Sequence, residues 1–261
     1  MKKFIKGITL MIVAVMVASL GACATKPGDG SLSTNAPKAT EAKIVTMCTN
    51  AEFEPFEYKK DNKIVGIDVE ISNAIAAKMG AKLEISDIGF DTLIPAIESG
   101  KADFAAAGMT ATDERRNNVD FSVPYFNASQ VIIVLKGSAI KSAADLKDKV
   151  LGVQLGTTGD TYCTKEVEAK EIKRFDKGVD AIQDLKSGRV DAVIIDDFPA
   201  SKFVEKNTDI EKLTEALTVE EYSIAVKKGN KDLLDTINSV ITEMKASGKL
   251  TEIIGNYITA E

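Results

Sequence analysis

Two short segments place side chains of opposite charge directly after apolar runs. GMTATDER (108–115) follows ADFAAA and offers Gly, Thr and Arg, whereas DDFPA (196–200) follows VDAVII and offers carboxylates. A guanidinium grips a planar carboxylate through two parallel hydrogen bonds, and an Asp can hold an ammonium group. Open α/β sheets collect ligands at the carboxyl ends of their strands, so the two segments together suit a ligand that carries both charges. A third segment, GTTGD (156–160), lies between an apolar run and a helical pattern, where backbone N–H groups can meet an anion. It lacks the Lys of a phosphate-binding P-loop, which argues against a nucleotide. The chain contains no His, which excludes His-based triads, Cys–His dyads and His-ligated zinc within it.

The elements that must position these residues are written twice. Residues 92–106 read TLIPAIESGKADFAA and residues 180–194 read DAIQDLKSGRVDAVI. In each, an apolar-periodic helix closes on Ser-Gly, a basic residue follows, and an Asp opens a buried strand. Gly100 and Gly188 suit the left-handed conformation that ends a helix. Two similar α/β lobes are therefore expected. Strand-like runs fall at 43–48, 82–88, 102–107, 130–137, 149–155, 171–175, 190–196 and 221–229, and Asp61-Asn62 supplies turn chemistry between two short strands. Helical patterns cover 68–79, 91–99, a stretch from Thr158, 178–187, 197–206 and two segments within 230–258. A chain that crosses between lobes near 125–130 and returns near 219–223 accounts for this order, with the crossings as paired hinge strands.

Composition bounds the rest. The chain has 261 residues, 44% hydrophobic and 28% charged, enough for one large or two modest cores. Lys2, Lys3 and Lys6 precede the uncharged run GITLMIVAVMVASLGA, the pattern of a secretory signal over 1–22. The run ends in LGAC, which resembles a bacterial lipobox and makes Cys23 a lipid anchor. Residues 23–42 then form a flexible tether. Loss of 1–22 removes three Lys and no acid, leaving 30 basic against 39 acidic residues and a net charge of −9, which argues against nucleic acid as a partner. Cys48 and Cys163 fall in different lobes, so no disulfide is expected.

Over 43–258 the chain resembles the family 3 extracellular solute-binding proteins, the receptors of polar amino-acid ABC transporters. The matching pieces are FEPFEY (53–58), KIVGIDVEI (63–71), FDTLIPAIESGKAD (90–103), GMTATDERRNNVDFSVPY (108–125), GVQLGTTGD (152–160) and VDAVIIDD (190–197). The resemblance implies a two-lobe α/β fold of the type II periplasmic-binding-protein kind, each lobe a βα-built sheet flanked by helices. One lobe would comprise 43–128 and 222–261, the other 129–221. It further implies Arg115 on the ligand carboxylate; Asp196, the Gly108 carbonyl and the Thr110 hydroxyl on its ammonium; and Thr158 at the carboxylate. Phe53 and Phe90 would enclose the aliphatic part, with Asn50 and Gln154 facing the side chain. Phe56 is assigned to the core, Phe121 and Tyr125 to core or hinge. Asp196 could instead cap the helix that follows, a role for which Asp197 is better placed.

A neutral Asn50 favours a polar uncharged ligand of the glutamine, cysteine or cystine type. The alternative is a basic amino acid paired by Glu52, which strand alternation puts on the same face as residues 50 and 54. The partners implied are a free L-amino acid, an ABC permease with its ATPase, and a membrane reached through lipid on Cys23. The protein would be a monomer on the extracytoplasmic face, with no cofactor or metal. A dehydratase-type enzyme or a sensor domain would share the fold, but an enzyme needs a cleft acid free for proton transfer.

Overall fold

The computed structural model describes residues 43–258. The signal, the Cys23 anchor and the tether expected over 1–42 lie outside the described residues. Two five-stranded sheets form the frame, and their strand directions match. In the first, Lys43–Thr49 lies between Ala81–Asp87 and Phe104–Ala105, parallel to both; Ala225–Lys227 then runs antiparallel to Phe104–Ala105, with Val119–Phe121 at the edge. In the second, Val150–Gln154 lies between Glu171–Phe175 and Ala192–Asp196, parallel to both; Gln130–Leu135 runs antiparallel to Ala192–Asp196, with Ile210–Lys212 at the edge. The fourth strand of each sheet is the one the chain makes just after crossing from the other. The crossings themselves pair as hinge strands, Phe126–Ala128 against Glu220–Tyr222.

The repeated sequence is a repeated structure down to single hydrogen bonds. Helices Leu93–Glu98 and Gly178–Lys186 end on Ser99 and Ser187, followed by Gly100 at φ +74° and Gly188 at φ +69°. The serine hydroxyls donate to Pro95 O and Gln183 O, each at 2.8 Å. Beyond them, the Asp103 carboxylate accepts from Thr46 N at 2.7 Å and the Asp191 carboxylate from Val150 N at 2.8 Å. Each Asp thus ties the loop after the helix to the second strand of its own sheet, which explains an acid at the entry to an apolar run.

Several expectations need correction. Residues 221–229 form not one strand but two, Glu220–Tyr222 in the hinge and Ala225–Lys227 in the first sheet. The break has a cause: Ser223 N–H donates to Met109 O and Ile224 N–H to the Ser122 hydroxyl, both at 2.9 Å, as the chain changes partners. Residues 102–107 shrink to Phe104–Ala105, because the backbone turns toward Gly108 at φ +51°. The helix expected over 91–99 starts as a 3₁₀ turn, Phe90–Thr92, before Leu93–Glu98. Asp197 is not the N-cap of its helix. Asp196 holds that position without a side-chain cap bond, and Asp197 pairs with Lys212. Cys48 and Cys163 are buried and free, and burial pushes each thiol up to about 12.

Gly66 precedes the helix Ile67–Lys78 at φ +134°, and a Cβ there would lie 2.1 Å from Phe56 O. No rotamer relieves a clash with backbone. Gly66→Ala is expected to cost about 3 kcal/mol, or roughly 6–12 °C in melting temperature, checked by thermal unfolding.

Candidate functional site

Segments from the strand ends of both sheets meet at a narrow cavity of about 10 Å³, and all nine residues singled out from the sequence line it. Asn50, Phe53, Phe90, Gly108, Thr110 and Arg115 come from one wall, Gln154, Thr158 and Asp196 from the other. Glu57 and Thr157, which the sequence reading passed over, line it too. Phe56, Phe121 and Tyr125 are buried away from it.

Local structure explains each placement. Arg115 rides on the single-turn helix Asp113–Arg116, capped by the Thr112 hydroxyl, which accepts from Arg115 N at 3.2 Å. Its guanidinium donates to Thr110 O at 2.8 Å on its own wall and to Gly156 O at 2.9 Å on the facing one, and it lies over the Phe90 ring at 5.2 Å. Burial lowers the Arg115 pKa, while Glu220, Asp196 and Glu114 raise it. Helix Thr158–Glu166 begins at the residue expected, with Thr157 as its cap. The Gly156 N–H is already taken by Asp160, at 3.2 Å. Gly108 has to be glycine, since a Cβ would approach Phe53 to 2.8 Å. Its N–H is fixed by Asp68 at 2.9 Å, which also accepts from the Tyr125 hydroxyl at 2.8 Å.

Among the described residues several contacts cross from wall to wall besides Arg115 to Gly156, one of them the ion pair of Lys165 with Glu114 at 3.6 Å. Gln154 Nε2 donates to Asn50 Oδ1 at 3.0 Å, Lys177 to Glu52 at 2.7 Å, and Lys206 to Glu54. Another runs through Glu220, which accepts from the hydroxyls of both Thr110 and Thr158. Glu52 therefore faces Lys177 at the rim and does not line the cavity. Strand alternation fails there because the chain turns twice, with Glu52 N bonded to Asn50 O and Phe56 N to Phe53 O. The hairpin register sets Glu57 opposite Phe53 instead.

The carboxylates of the site are held at a cost. Asp196 is buried and accepts from the Tyr222 hydroxyl. Burial, then repulsion from Glu220, pushes its pKa from 3.8 up to about 7, against the opposing hydrogen bonds of Tyr222 and Gln130. Glu57 is buried as well, and burial, then Asp68, takes its pKa well above the carboxylate range. Neither Glu57 oxygen nor Asp68 Oδ1 meets a donor among the described residues unless the two acids share a proton. Asp68 itself is pushed by burial to about 6, despite the Gly108 N–H and the Tyr125 hydroxyl.

Two sheets with swapped fourth strands, hinged around a cleft with a cation at one end and acids at the other, define a ligand-capturing two-lobe protein. The chain belongs to the bacterial extracellular solute-binding proteins, family 3, whose model matches residues 45–260. It is 34% identical to the arginine-binding extracellular protein of Bacillus subtilis, over 98% of this chain and 99% of that one. Among solved structures it is similar to an ancestral arginine-binding protein bound to arginine, at 44% identity and a TM-score of 0.78, covering 82% of this chain and 98% of that one. The ancestral protein bound to glutamine matches at 43% and 0.80, covering 84% and 100%. The fold is thus the type II two-lobe architecture with paired hinge strands.

A raised carboxylate pKa is linked to stability with a definite sign. The folded state keeps a proton on Asp196 that the unfolded chain releases, so stability falls as pH rises from 3.8 toward about 7. Asp196→Asn removes that cost. It is expected to stabilise the ligand-free protein at pH 8, by up to about 4 kcal/mol, by less than half of that at pH 5, and to change little below pH 3.8, as read by melting temperature.

Proposed function

We propose that this protein is the extracytoplasmic binding component of an amino-acid ABC importer and that its ligand is a basic amino acid, arginine foremost. Arg115 takes the ligand carboxylate, Asp196 with Gly108 O and Thr110 takes the ammonium, Phe53 and Phe90 enclose the methylenes, and Thr158 contributes at the carboxylate. The observation that carries the choice of side chain is Glu57: a buried acid on the cavity wall whose oxygens meet no donor among the described residues other than a proton shared with Asp68. A guanidinium would supply the charge and donors that Glu57 lacks, while Asn50 and Gln154 fix the side chain's path. The arginine-binding relatives support the same choice over the polar uncharged ligand that the sequence alone favours. The glutamine-bound ancestral structure keeps glutamine as the competing ligand. Ligand contacts to both walls favour the closed state and so drive closure. The lobes divide at the hinge strands, with Cys23 as the lipid anchor and a permease as the docking partner.

Purified protein, unfolded and refolded to shed any copurified ligand, is to be melted against each of the twenty amino acids, cystine and ornithine. Ligand at a hundredfold excess over its Kd stabilises by about 2.7 kcal/mol, a rise of roughly 5–11 °C. Arginine is expected to give the largest shift; a shift with glutamine or cystine alone overturns the basic assignment. Arg115→Met is expected to abolish every shift. Glu57→Gln is expected to reduce the arginine shift while sparing that of glutamine, and an undiminished arginine shift refutes the role given to Glu57.

A further inference from the structure

Glu220 stands on neither wall. It opens the hinge strand Glu220–Tyr222, is buried, and its carboxylate is saturated by hydroxyls. Oε2 accepts from Thr110 Oγ1 at 2.5 Å and from Thr158 Oγ1 at 2.8 Å, while Oε1 accepts from Thr218 Oγ1 at 2.7 Å. Thr110 belongs to one wall and Thr158 to the other. The same network reaches the opposite crossing through Gln130, whose Nε2 donates to Thr158 Oγ1 at 3.0 Å and whose N–H donates to Thr218 Oγ1 at 2.9 Å. Among the acids that support the charge on Arg115, Glu220 acts most strongly, ahead of Asp196 and Glu114.

We propose that Glu220 is a positioning residue of the cleft: from the hinge it gathers the Thr110 and Thr158 hydroxyls onto one oxygen, which only closed walls permit, and so couples closure to assembly of the carboxylate-binding end. The role deepens the amino-acid-binding reading and rests on it. A hinge rotation that parts the walls must break at least one of the two bonds, because a single oxygen cannot follow both hydroxyls. Ligand binding restores them and sets both hydroxyls in place together. Glu220 also adds a negative charge beside Asp196, which faces Tyr222 and Gln130 as well and interacts with Arg115 and Glu57.

Glu220→Gln keeps the shape but replaces one acceptor oxygen with an amide donor and removes the charge. Arginine affinity, measured by calorimetry from pH 5 to 9, is expected to fall roughly tenfold to a hundredfold. In the unsubstituted protein Asp196 must ionise to hold an ammonium, so affinity drops as pH falls through about 7. Without the Glu220 charge that acid limb moves to lower pH, a change that a merely structural residue would not produce. Glu220→Asp, with charge kept and reach shortened, is expected to restore the limb but not the affinity, and it serves if the Gln variant does not fold. Small-angle scattering gives a ligand-independent reading: the ligand-free Gln variant is expected to have a larger radius of gyration than the unsubstituted protein. If the unsubstituted protein binds no amino acid, the functional reading fails and scattering alone decides, an unchanged radius overturning the proposal. If it binds arginine and Glu220→Gln alters neither affinity nor the acid limb, the proposal fails and the functional reading stands.

Discussion

Arg115 is a charge that cannot be put out, placed half-buried between two walls that must both help to hold it. Its guanidinium donates to a carbonyl on each, Thr110 O and Gly156 O, and rests on the Phe90 ring. Those carbonyls are fixed by backbone geometry, so the cation sits where both sheets end and where a carboxylate could reach it. The acids of the cleft follow from this. A positive group withdrawn from water needs negative charge nearby, and Glu220, Asp196 and Glu114 supply it.

The swapped fourth strands make this arrangement hold together. Gln130–Leu135 and Ala225–Lys227 each enter a sheet directly after a hinge strand, so the crossings are anchored at both ends in sheet hydrogen bonding. A hinge built this way is tied to both sheets. It also brings hinge residues to the cleft: Tyr222 reaches Asp196, and Glu220 reaches Thr110 and Thr158. Hinge and site are contiguous, and a rotation of one is felt at once by the other.

The acids under the cleft show what a binding site costs its fold. Asp196, Glu57 and Asp68 are buried and close to one another, and each is pushed toward its neutral form. None of them fills space better than an amide would. In the proposed function a positively charged ligand group offsets a penalty that the empty protein bears alone. The Tyr125 and Tyr222 hydroxyls and the Gly108 N–H lower the penalty by donating to these acids, and they also orient the acids.

The sequence by itself determined the repeated helix-to-strand unit, because capping glycines, serine ends and apolar periodicity are local chemistry that reads the same in any context. Gly100, Gly188, the start of the helix at Thr158 and the two amphipathic C-terminal helices were legible for that reason. The nine candidate residues were legible through the resemblance to a known family, and all line one cavity. Tertiary structure alone decided where acids point. Glu52, Glu54 and Glu57 lie within six residues of one another, yet two pair with lysines of the other wall and the third is buried at the cavity; the outcome rests on two backbone turns and a hairpin register. The same holds for Asp196 and Asp197, adjacent in sequence, one buried against Tyr222 and the other paired with Lys212. Glu220 stayed hidden because its partners are 110 and 62 residues away, and a contact that depends on two sheets meeting leaves no local pattern in the chain.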